Sequence, residues 1–377
     1  MAPGGGGAAG ARHLYVHLPF CGHRCAYCDF ASEPLAVHLA SGRVELYLGR
    51  VREEFAAADE SLAPALETIY LGGGTPTALP REWLLPFVAA LAERLQPGGE
   101  FTVEANPETV DRHLLEELRA AGVNRLSLGI QSFSEELRRT LGRRVPQAAV
   151  DGALAAVRET GWPEWSLDLV YGIPGASGDD LRSDVERALD SGPSHISLYD
   201  LTYTDSFVAR LRRRSGPQTR ELAEAVAEEH YAQVVDRLEE AGYRRYEVSN
   251  FAIPGHESRH NQAYWRLRDY LGVGAAAVST VGLRRWTNPR RVRAYLEGRP
   301  PEAETLDERT KLVERAMLGL RTREGVAMAE VGLVLDENGL ARMLEAGFAR
   351  LEDGYLRLGR RGLDLSTSVI ADLLLLD

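Results

Sequence analysis

Hydrophobic and polar positions divide the chain, from residue 12 onward, into short apolar runs that alternate with longer amphipathic stretches. The apolar runs are rich in Val, Ile and Leu, which is typical of strands covered on both faces of a parallel sheet. The amphipathic stretches are long enough for the crossovers that parallel strands require. The predicted strands are His13–Leu18, Thr68–Leu71, Phe101–Glu104, Arg125–Ile130, Ser166–Tyr171 and Ile196–Leu201, and the predicted helices are Val44–Ala58, Arg81–Leu95, Val110–Ala121, Gln147–Thr160 and Asp179–Ser191.

Six such strand–helix units predict an α/β fold, an open or partial (β/α)6 barrel, with a doubly wound sheet as the alternative. Near residue 235 the rhythm changes, and residues 243–290 become rich in Tyr, Trp, Asn, His and Gly. Later residues are helical again, with a helix predicted over 340–351 and a hairpin around Asp353-Gly354. We therefore expect a flexible leader (1–11), a core domain (12–235) and a smaller mixed α+β domain (236–377).

The charge balance and the hydropathy pattern exclude several classes of protein. The formal net charge is −11, from 55 acidic and 44 basic residues, whereas nucleic-acid binders usually carry a basic excess. No run reaches the roughly 18 apolar residues of a membrane span, and the first residues lack the features of a signal peptide. We expect a cytoplasmic protein, in which thiols stay reduced.

The chain has three cysteines, Cys21, Cys25 and Cys28, spaced C-x3-C-x2-C directly after the first strand. Three thiolates on a short loop can converge on one metal ion or cluster. A structural zinc site normally has four ligands, so His17 or His23 would have to complete a Cys3His set. A [4Fe–4S] cluster held by three cysteines instead leaves one iron open. The spacing favours the cluster over zinc.

Other unusual segments also follow predicted strands. Gly72–Thr77 follows the second strand, Glu104–Pro107 the third, Gln131 the fourth and Gly172–Gly175 the fifth. The carboxyl ends of strands in such sheets share one edge, where active sites form. The sequence therefore predicts one site, made from these segments and the cysteines.

The cysteine spacing, with an aromatic residue before the third cysteine, resembles the radical S-adenosylmethionine (SAM) superfamily. Further segments are similar to the oxygen-independent coproporphyrinogen III dehydrogenases and to their relatives, the HemW heme chaperones. The similarity runs from about residue 13 to beyond 320. The segments that carry it are Tyr15–Cys21 (YVHLPFC), Gly72–Thr77 (GGGTPT), Leu128–Ser132 (LGIQS) and Asp168–Pro174 (DLVYGIP).

This resemblance implies a radical SAM core, one [4Fe–4S] cluster on the three cysteines, and SAM bound to the open iron. A planar guanidinium suits the SAM carboxylate, and the choice of Arg143 over Arg144 rests on the resemblance alone. A carboxylate in mid-strand, as at Asp168, needs a partner when buried. The SAM-binding residues that the resemblance implies are Gly73, Gly74, Thr75, Glu104, Gln131, Arg143 and Asp168, with Tyr15 and Tyr27 packing near the cluster and adenine.

Two features favour the chaperones over the dehydrogenases. Asp29-Phe30 stands where the dehydrogenase motif has a further cysteine, and few residues precede the first strand. The segment from His260 to Trp265 (HNQAYW) also matches a motif of the chaperone group, which implies His260 as a heme ligand, with His256 as the rival. Neutral imidazole is a common axial ligand of heme iron.

The sequence therefore predicts a heme chaperone that carries the cluster and SAM and transfers heme to an acceptor protein such as a respiratory cytochrome. Its expected partners are heme, the acceptor and an electron donor, with a homodimer as a further candidate. No catalytic side chain is assigned, and SAM either permits radical-dependent heme release or serves as a structural cofactor. The alternatives are oxidative decarboxylation of coproporphyrinogen III and a Cys3His zinc domain.

Overall fold

The computed structural model describes residues 10–215 and 219–375, and its first two hundred residues alternate strands with helices as predicted. The strands are β1 (His13–Leu18), β2 (Phe20–Cys21), β3 (Glu33–Pro34), β4 (Leu66–Gly73), β5 (Leu95–Ala105), β6 (Arg125–Gln131), β7 (Glu164–Tyr171) and β8 (His195–Asp200). The helices are α1 (Leu35–Ala40), α2 (Arg43–Ala57), α3 (Arg81–Ala92), α4 (Arg112–Ala120), α5 (Glu135–Thr140), α6 (Gln147–Thr160), α7 (Gly178–Ser191), α8 (Asp205–Ser215) and α9 (Thr219–Glu240).

The remaining residues add shorter elements. The strands are β9 (Arg244–Arg245), β10 (Asn250–Ala252), β11 (Tyr270–Val273), β12 (Val278–Val281), β13 (Arg284–Thr287), β14 (Glu302–Thr305), β15 (Val326–Ala327), β16 (Ala349–Glu352) and β17 (Tyr355–Leu358). The helices are α10 (Arg259–Trp265), α11 (Val292–Leu296), α12 (Glu308–Gly319), α13 (Met328–Val331), α14 (Glu337–Glu345), α15 (Arg360–Asp364) and α16 (Ser366–Leu373). In the described ranges, no helix is both long and apolar enough to cross a bilayer.

The main sheet has twelve strands in the order β14-β13-β12-β11-β1-β4-β5-β6-β7-β8-β10-β9. From β1 to β8 the neighbours are parallel and follow one another along the chain. A doubly wound sheet would instead reverse its order at a switch point between β1 and its neighbour. The partial α/β barrel is therefore confirmed. On the other side of β1, β11 joins it in parallel.

One face of this sheet is apolar and the other is polar. Leu14, Val16 and Leu71 are fully buried in the main hydrophobic core. The alternate positions are polar, as at His13 and Tyr15, because neighbouring side chains on a strand point to opposite faces. We expected strands that are apolar on both faces. The concave face is polar instead, because it lines the site.

Among the described residues, apolar packing forms three clusters, of which two are large. The larger runs from Ala11 to Tyr295 and includes the parallel strands and their helices. The second lies between Ala316 and Leu374 around the small sheet β15-β17-β16. The division into 12–235 and 236–377 stays a prediction. Residues 1–9 of the expected leader lie outside the described residues.

The helix predicted over 340–351 was too long. Helix α14 ends at Glu345, and Gly347 follows with a φ of +71°, a left-handed conformation that favours glycine. Residues 349–352 instead form β16, the first strand of the hairpin that was expected. Asp353 and Gly354 both have positive φ, as a two-residue hairpin turn requires.

Candidate functional site

Cys21 is the last residue of β2, and Cys25 and Cys28 lie on the irregular loop between β2 and β3; all three are half-buried. Ala26 anchors this loop, because its N–H donates to the carbonyl of Leu141 at 3.0 Å. Burial raises the pKa of each thiol. The pKa of Cys25 is raised to about 11, mainly by burial and in smaller part by the charges of Cys28 and Cys21. The thiols therefore lie near one another and are protonated at neutral pH until a metal or cluster binds.

Within the described ranges, no three His, Cys, Asp or Glu side chains form a preformed metal-binding group. His17, a candidate fourth zinc ligand, has both ring nitrogens engaged, with the Tyr15 hydroxyl and the Ala31 carbonyl, each at 3.0 Å. The ligands that this loop offers are thus three soft thiolates, and His17 is not free to act as the fourth. That set suits a [4Fe–4S] cluster with one open iron.

The glycine segment begins with the last two residues of β4, Gly72 and Gly73, and lies beside the cysteine loop. Gly73 has a φ of +99°, and its N–H donates to Glu104 at 3.0 Å. A Cβ at Gly72 would lie 2.7 Å from the Glu104 carboxyl carbon. Glycine is needed at both positions, because backbone and carboxylate approach closely. The Thr75 hydroxyl lies 3.7 Å from the Cys21 sulfur, which joins this segment to the cysteines.

Glu104 ends β5 within the concave face. It accepts hydrogen bonds from the Tyr70 hydroxyl at 2.9 Å and from Gly73. Its pKa is raised to about 7, mainly by burial and in smaller part by the nearby charge of Asp168. A cation placed there would favour the ionised carboxylate, so this corner of the site suits a ligand's ammonium group.

Arg143 is buried beside the cysteine loop, whereas Arg144 is exposed. The Arg143 guanidinium donates to Asn106 at 2.7 Å and to the Gly129 carbonyl at 2.5 Å, and its charge lowers the pKa of Cys25. Its Nε has no partner in the described structure. An unpartnered buried donor is costly, which favours an acceptor from a ligand here.

Gln131 and Asp168 lie on neighbouring strands. Gln131 has a φ of +72°, uncommon for a non-glycine residue, where the β6–β7 register shifts. Asp168 accepts a hydrogen bond from Ser127 at 3.1 Å, and burial raises its pKa. Protein hydroxyls thus supply the partner that the sequence required for this carboxylate.

The two predicted tyrosines flank the site on different sides. Tyr15 stacks on Tyr70, with ring centroids 6.1 Å apart. Burial raises the pKa of Tyr27, which lies near enough to Arg143 and Cys25 to feel their charges. The structure thus brings every predicted SAM residue to the cysteine end of the sheet.

Sequence reasoning placed Asn106 in the site only as part of the Glu104–Pro107 segment, without a role, and did not assign Tyr70 to the site. Asn106 donates to Thr75 at 2.9 Å and accepts from Arg143, so it connects the glycine segment to the guanidinium. The sequence could have indicated Asn106, because this residue directly follows the end of β5 and lies two positions after Glu104. Tyr70 could have been found from its alternation with Thr68 and Gly72 on β4.

His260 lies elsewhere, at the opposite, amino-terminal end of the half barrel. It is 2% exposed and stacks on Tyr70, with centroids 5.1 Å apart. Both ring nitrogens are engaged, Nδ1 with the Thr68 hydroxyl at 2.7 Å and Nε2 with the Tyr264 hydroxyl at 3.1 Å. The rival His256 is partly exposed and pairs with Glu164 at 2.8 Å. The structure does not bring His260 to the cysteines.

The Radical SAM superfamily model matches residues 15–188. The heme chaperone HemW of Lactococcus lactis is 36% identical over 318 residues, which cover 83% of this chain and 82% of the relative. The heme chaperone HemW of Mycobacterium tuberculosis is 35% identical over 372 residues, covering 96% and 94%. The chain belongs to the HemW family of radical SAM proteins.

A solved structure supports the fold of this HemW family member. It is the coproporphyrinogen III oxidase HemN from Escherichia coli, described as a radical SAM enzyme. It aligns with a TM-score of 0.80 and 20% identity over 97% of this chain and 90% of the other. This chain therefore has the HemN fold through both its barrel and its later elements.

Proposed function

We propose that this protein binds heme and passes it to an acceptor protein, as the name of its HemW relatives suggests. We propose a respiratory cytochrome as the acceptor. The protein would also need an electron donor for the cluster, and a homodimer is a further candidate assembly. Three half-buried free thiols in an irregular loop also favour a reducing compartment, so we propose a cytoplasmic location.

Cys21, Cys25 and Cys28 would hold a [4Fe–4S] cluster, and SAM would complete the open iron. When bound and reduced, such a cluster would supply the one electron needed to split SAM into methionine and a 5′-deoxyadenosyl radical. The chain's own residues would bind SAM and orient it. Arg143 offers its unpartnered Nε to the SAM carboxylate, and Glu104, next to the Gly73 backbone, receives the ammonium group.

The remaining contacts would position the rest of SAM. Gln131 and Asp168, side by side on β6 and β7, face the ribose, and Tyr27 packs against the adenine. Gly74 permits close approach of backbone, because a Cβ there would lie 2.7 Å from the Leu18 carbonyl oxygen. Whether SAM is split during heme release or serves as a structural cofactor is decided by assaying 5′-deoxyadenosine with and without heme.

The observation that carries the chaperone proposal is the 35% sequence identity to a HemW relative over 96% of this chain. We expect hemin, titrated against the protein and followed through its Soret band, to saturate near one heme per chain. His260→Ala should lose this binding or change its spectrum. Unchanged binding would remove His260 as the ligand and direct attention to His256. The absence of specific binding would refute the chaperone.

A second candidate function has one observation in its favour, the HemN fold over the whole chain. It is the oxidative decarboxylation of coproporphyrinogen III, in which propionate side chains become vinyl groups. An anaerobic assay with reductant and SAM decides between the two. Formation of protoporphyrinogen IX would favour the enzyme, and its absence together with saturable heme binding would favour the chaperone.

A further inference from the structure

The surface around the cysteine loop has a local excess of arginine, in a chain whose net charge is −11. Arg24, between the first two cysteines, is exposed. Burial raises the pKa of the Cys28 thiol, and the charge of Arg24 offsets part of this rise, so the guanidinium lies near that sulfur. Arg144 is exposed beside the same loop, where its backbone N–H donates to the His23 ring at 3.4 Å. Two exposed arginines thus border the loop that would hold the cluster.

A surface depression of about 360 Å³ continues this basic surface. Arg144, Arg139 and Arg210 of α8 line it. Glu135 also lines it, but Arg139 forms an ion pair with this carboxylate. In the described parts of the chain, Arg24, Arg144 and Arg210 form no ion pair, and all three side chains are exposed. Their positive charges are therefore available to attract a negatively charged partner.

An exposed aromatic ring lies on the same loop. Phe30 follows Cys28 by two residues and is 65% exposed. Its backbone also forms a hydrogen bond with the Cys28 sulfur. The neighbouring Asp29 carboxylate lies 3.7 Å from Arg290, which compensates part of its charge. Phe30 thus connects a predicted cluster ligand directly with the surface.

These features suit one kind of partner. A cluster that is to be reduced needs an electron donor that reaches it from the surface, and redox proteins that meet transiently use small interfaces. Complementary charge steers such encounters. An acidic carrier protein is repelled by the net charge of −11 except where a local basic surface attracts it. Aromatic residues and arginine are enriched in protein interfaces, and the cysteine loop carries both.

We propose that Arg24, Arg144, Arg210 and Phe30, here called the arginine face, form the docking surface for an acidic one-electron carrier protein. The inference rests on the proposed [4Fe–4S] cluster. The docked carrier is oxidised by one electron, the cluster is reduced by that electron, and no covalent bond forms or breaks. The arginines attract the carrier, and Phe30 packs against it next to Cys28.

Oxidised flavodoxin, a small acidic carrier, is the probe. The cluster is reduced with dithionite, the excess is removed, and the electron is followed by stopped flow as it passes to flavodoxin, whose semiquinone takes up a proton from water and has its own visible absorbance. The second-order rate constant should fall steeply with ionic strength. The double variant Arg144→Glu/Arg210→Glu should lower it about tenfold at low salt and weaken its salt dependence.

The matched control is the double variant Arg158→Glu/Arg342→Glu, which changes the net charge by the same amount. Both arginines are exposed, on α6 and α14, and form no ion pair within the described ranges. Its rate constant should stay within about twofold of the native value, because salt screens distant charges. Equal losses in the two double variants would assign the effect to overall charge and overturn the arginine face. An unchanged rate in Arg144→Glu/Arg210→Glu would also overturn it.

The aromatic ring has its own test. Phe30→Ala keeps the backbone that bonds to Cys28 but removes the exposed ring, so the flavodoxin concentration at half-saturation should rise about fivefold. Leu333→Ala is the control, since Leu333 is 84% exposed on a different part of the surface. It should leave half-saturation unchanged. Equal values in the two variants would overturn the contact at Phe30.

An anionic membrane is the other partner class that a basic surface with an exposed aromatic ring can bind. The position of the arginine face at the cluster ligands favours the carrier. Vesicles of phosphatidylglycerol and phosphatidylcholine should therefore sediment equal, small amounts of the native protein and of Arg144→Glu/Arg210→Glu. Vesicle binding that is lost in this variant, with electron transfer to flavodoxin unchanged, would assign the face to a membrane and overturn the proposal.

Dithionite separates the failure of this inference from that of the proposed cluster, because a small inorganic reductant needs no docking surface. We expect it to give the same reduced-cluster EPR signal in the native protein and in both double variants. A normal signal in the native protein without electron transfer to flavodoxin would overturn the docking surface alone. If dithionite gives no such signal in the native protein, the proposed cluster and this inference fail together.

Discussion

Glu104 lies next to Asp168 and Tyr70 on the concave face, where burial is the main cause that raises its pKa to about 7. A carboxyl group with that pKa is about half ionised at neutral pH. A bound ammonium group stabilises the ionised form, so binding must remove the proton wherever the free site carries one.

We therefore predict that SAM binds less tightly as the pH falls from 7.5 to 6, approaching tenfold per pH unit at the lower end. Glu104→Gln should bind more weakly at pH 7.5 and lack this component of the pH dependence. Glu247→Gln is the control, because burial likewise raises the pKa of Glu247 to about 7, but it bonds to Ser249 and Asn250. Calorimetric titrations across this range measure the effect. A native pH profile in Glu104→Gln would contradict it.

The cysteine loop depends on an element that is distant in sequence, the turn after α5. Gly142 has a φ of +75°, and a Cβ there would lie 2.8 Å from the Cβ of Ala26, in the middle of the cysteine motif. The turn also accepts the Ala26 N–H at Leu141. This packing keeps the loop beside Arg143.

Gly142→Ala should therefore displace the loop and lower the iron and sulfide bound per chain after anaerobic reconstitution. Gly161→Ala is the matched control, since Gly161 has a φ of +58° and no atom within 4 Å of a Cβ there. Both variants pay about 1–2 kcal/mol of backbone strain, but only the first should lose cluster. Cys25→Ala gives the lower limit of the iron and sulfide content that this measurement can show. Equal cluster content in the two glycine variants would refute the dependence.

The elements of the barrel could be predicted because their signals are local. Helix α6 was predicted at its observed bounds, Gln147–Thr160, from periodicity alone. The four-residue strands β11 to β14 were not predicted. The parallel partner of β11 is β1, far away in the sequence, and β12 to β14 pair with their neighbours over only a few residues. The burial of His260 depends on Thr68, 192 residues away. No local pattern contains that contact.

At the scale of the whole molecule, Val248 and several ion pairs connect the main sheet to the residues around the second apolar cluster. Arg285 donates to both carboxylate oxygens of Glu314 at 2.7 Å, and Arg245 pairs with Asp364. Such contacts leave each cluster its own apolar core. We expect separate stability for the last sixty residues, whereas Tyr243, Phe251 and Tyr295 pack in the larger cluster, and the division of the chain at residue 235 stays a prediction.

Leu356→Ala should test this separation. Leu356 is fully buried in the second cluster, and removal of such a side chain costs about 2–5 kcal/mol. We expect faster amide exchange within residues 316–374 and unchanged exchange in β1 to β8. The control, Leu167→Ala in the larger cluster, should accelerate exchange in the barrel strands. Acceleration throughout the chain in both variants would mean one cooperative unit.

The position of β1 has a consequence for synthesis on the ribosome. This strand pairs with β4 on one side and with β11 on the other. Because β11 lies about 200 residues after β4 in the sequence, the second edge of β1 stays unpaired until β11 has been synthesised. At roughly 5–20 residues per second, the newly made barrel keeps an open strand edge for about 10–40 seconds. Unpaired edges invite pairing with other chains. The nascent chain is therefore most prone to aggregate before residue 273 emerges, and slower translation of that interval should lower the yield of folded protein.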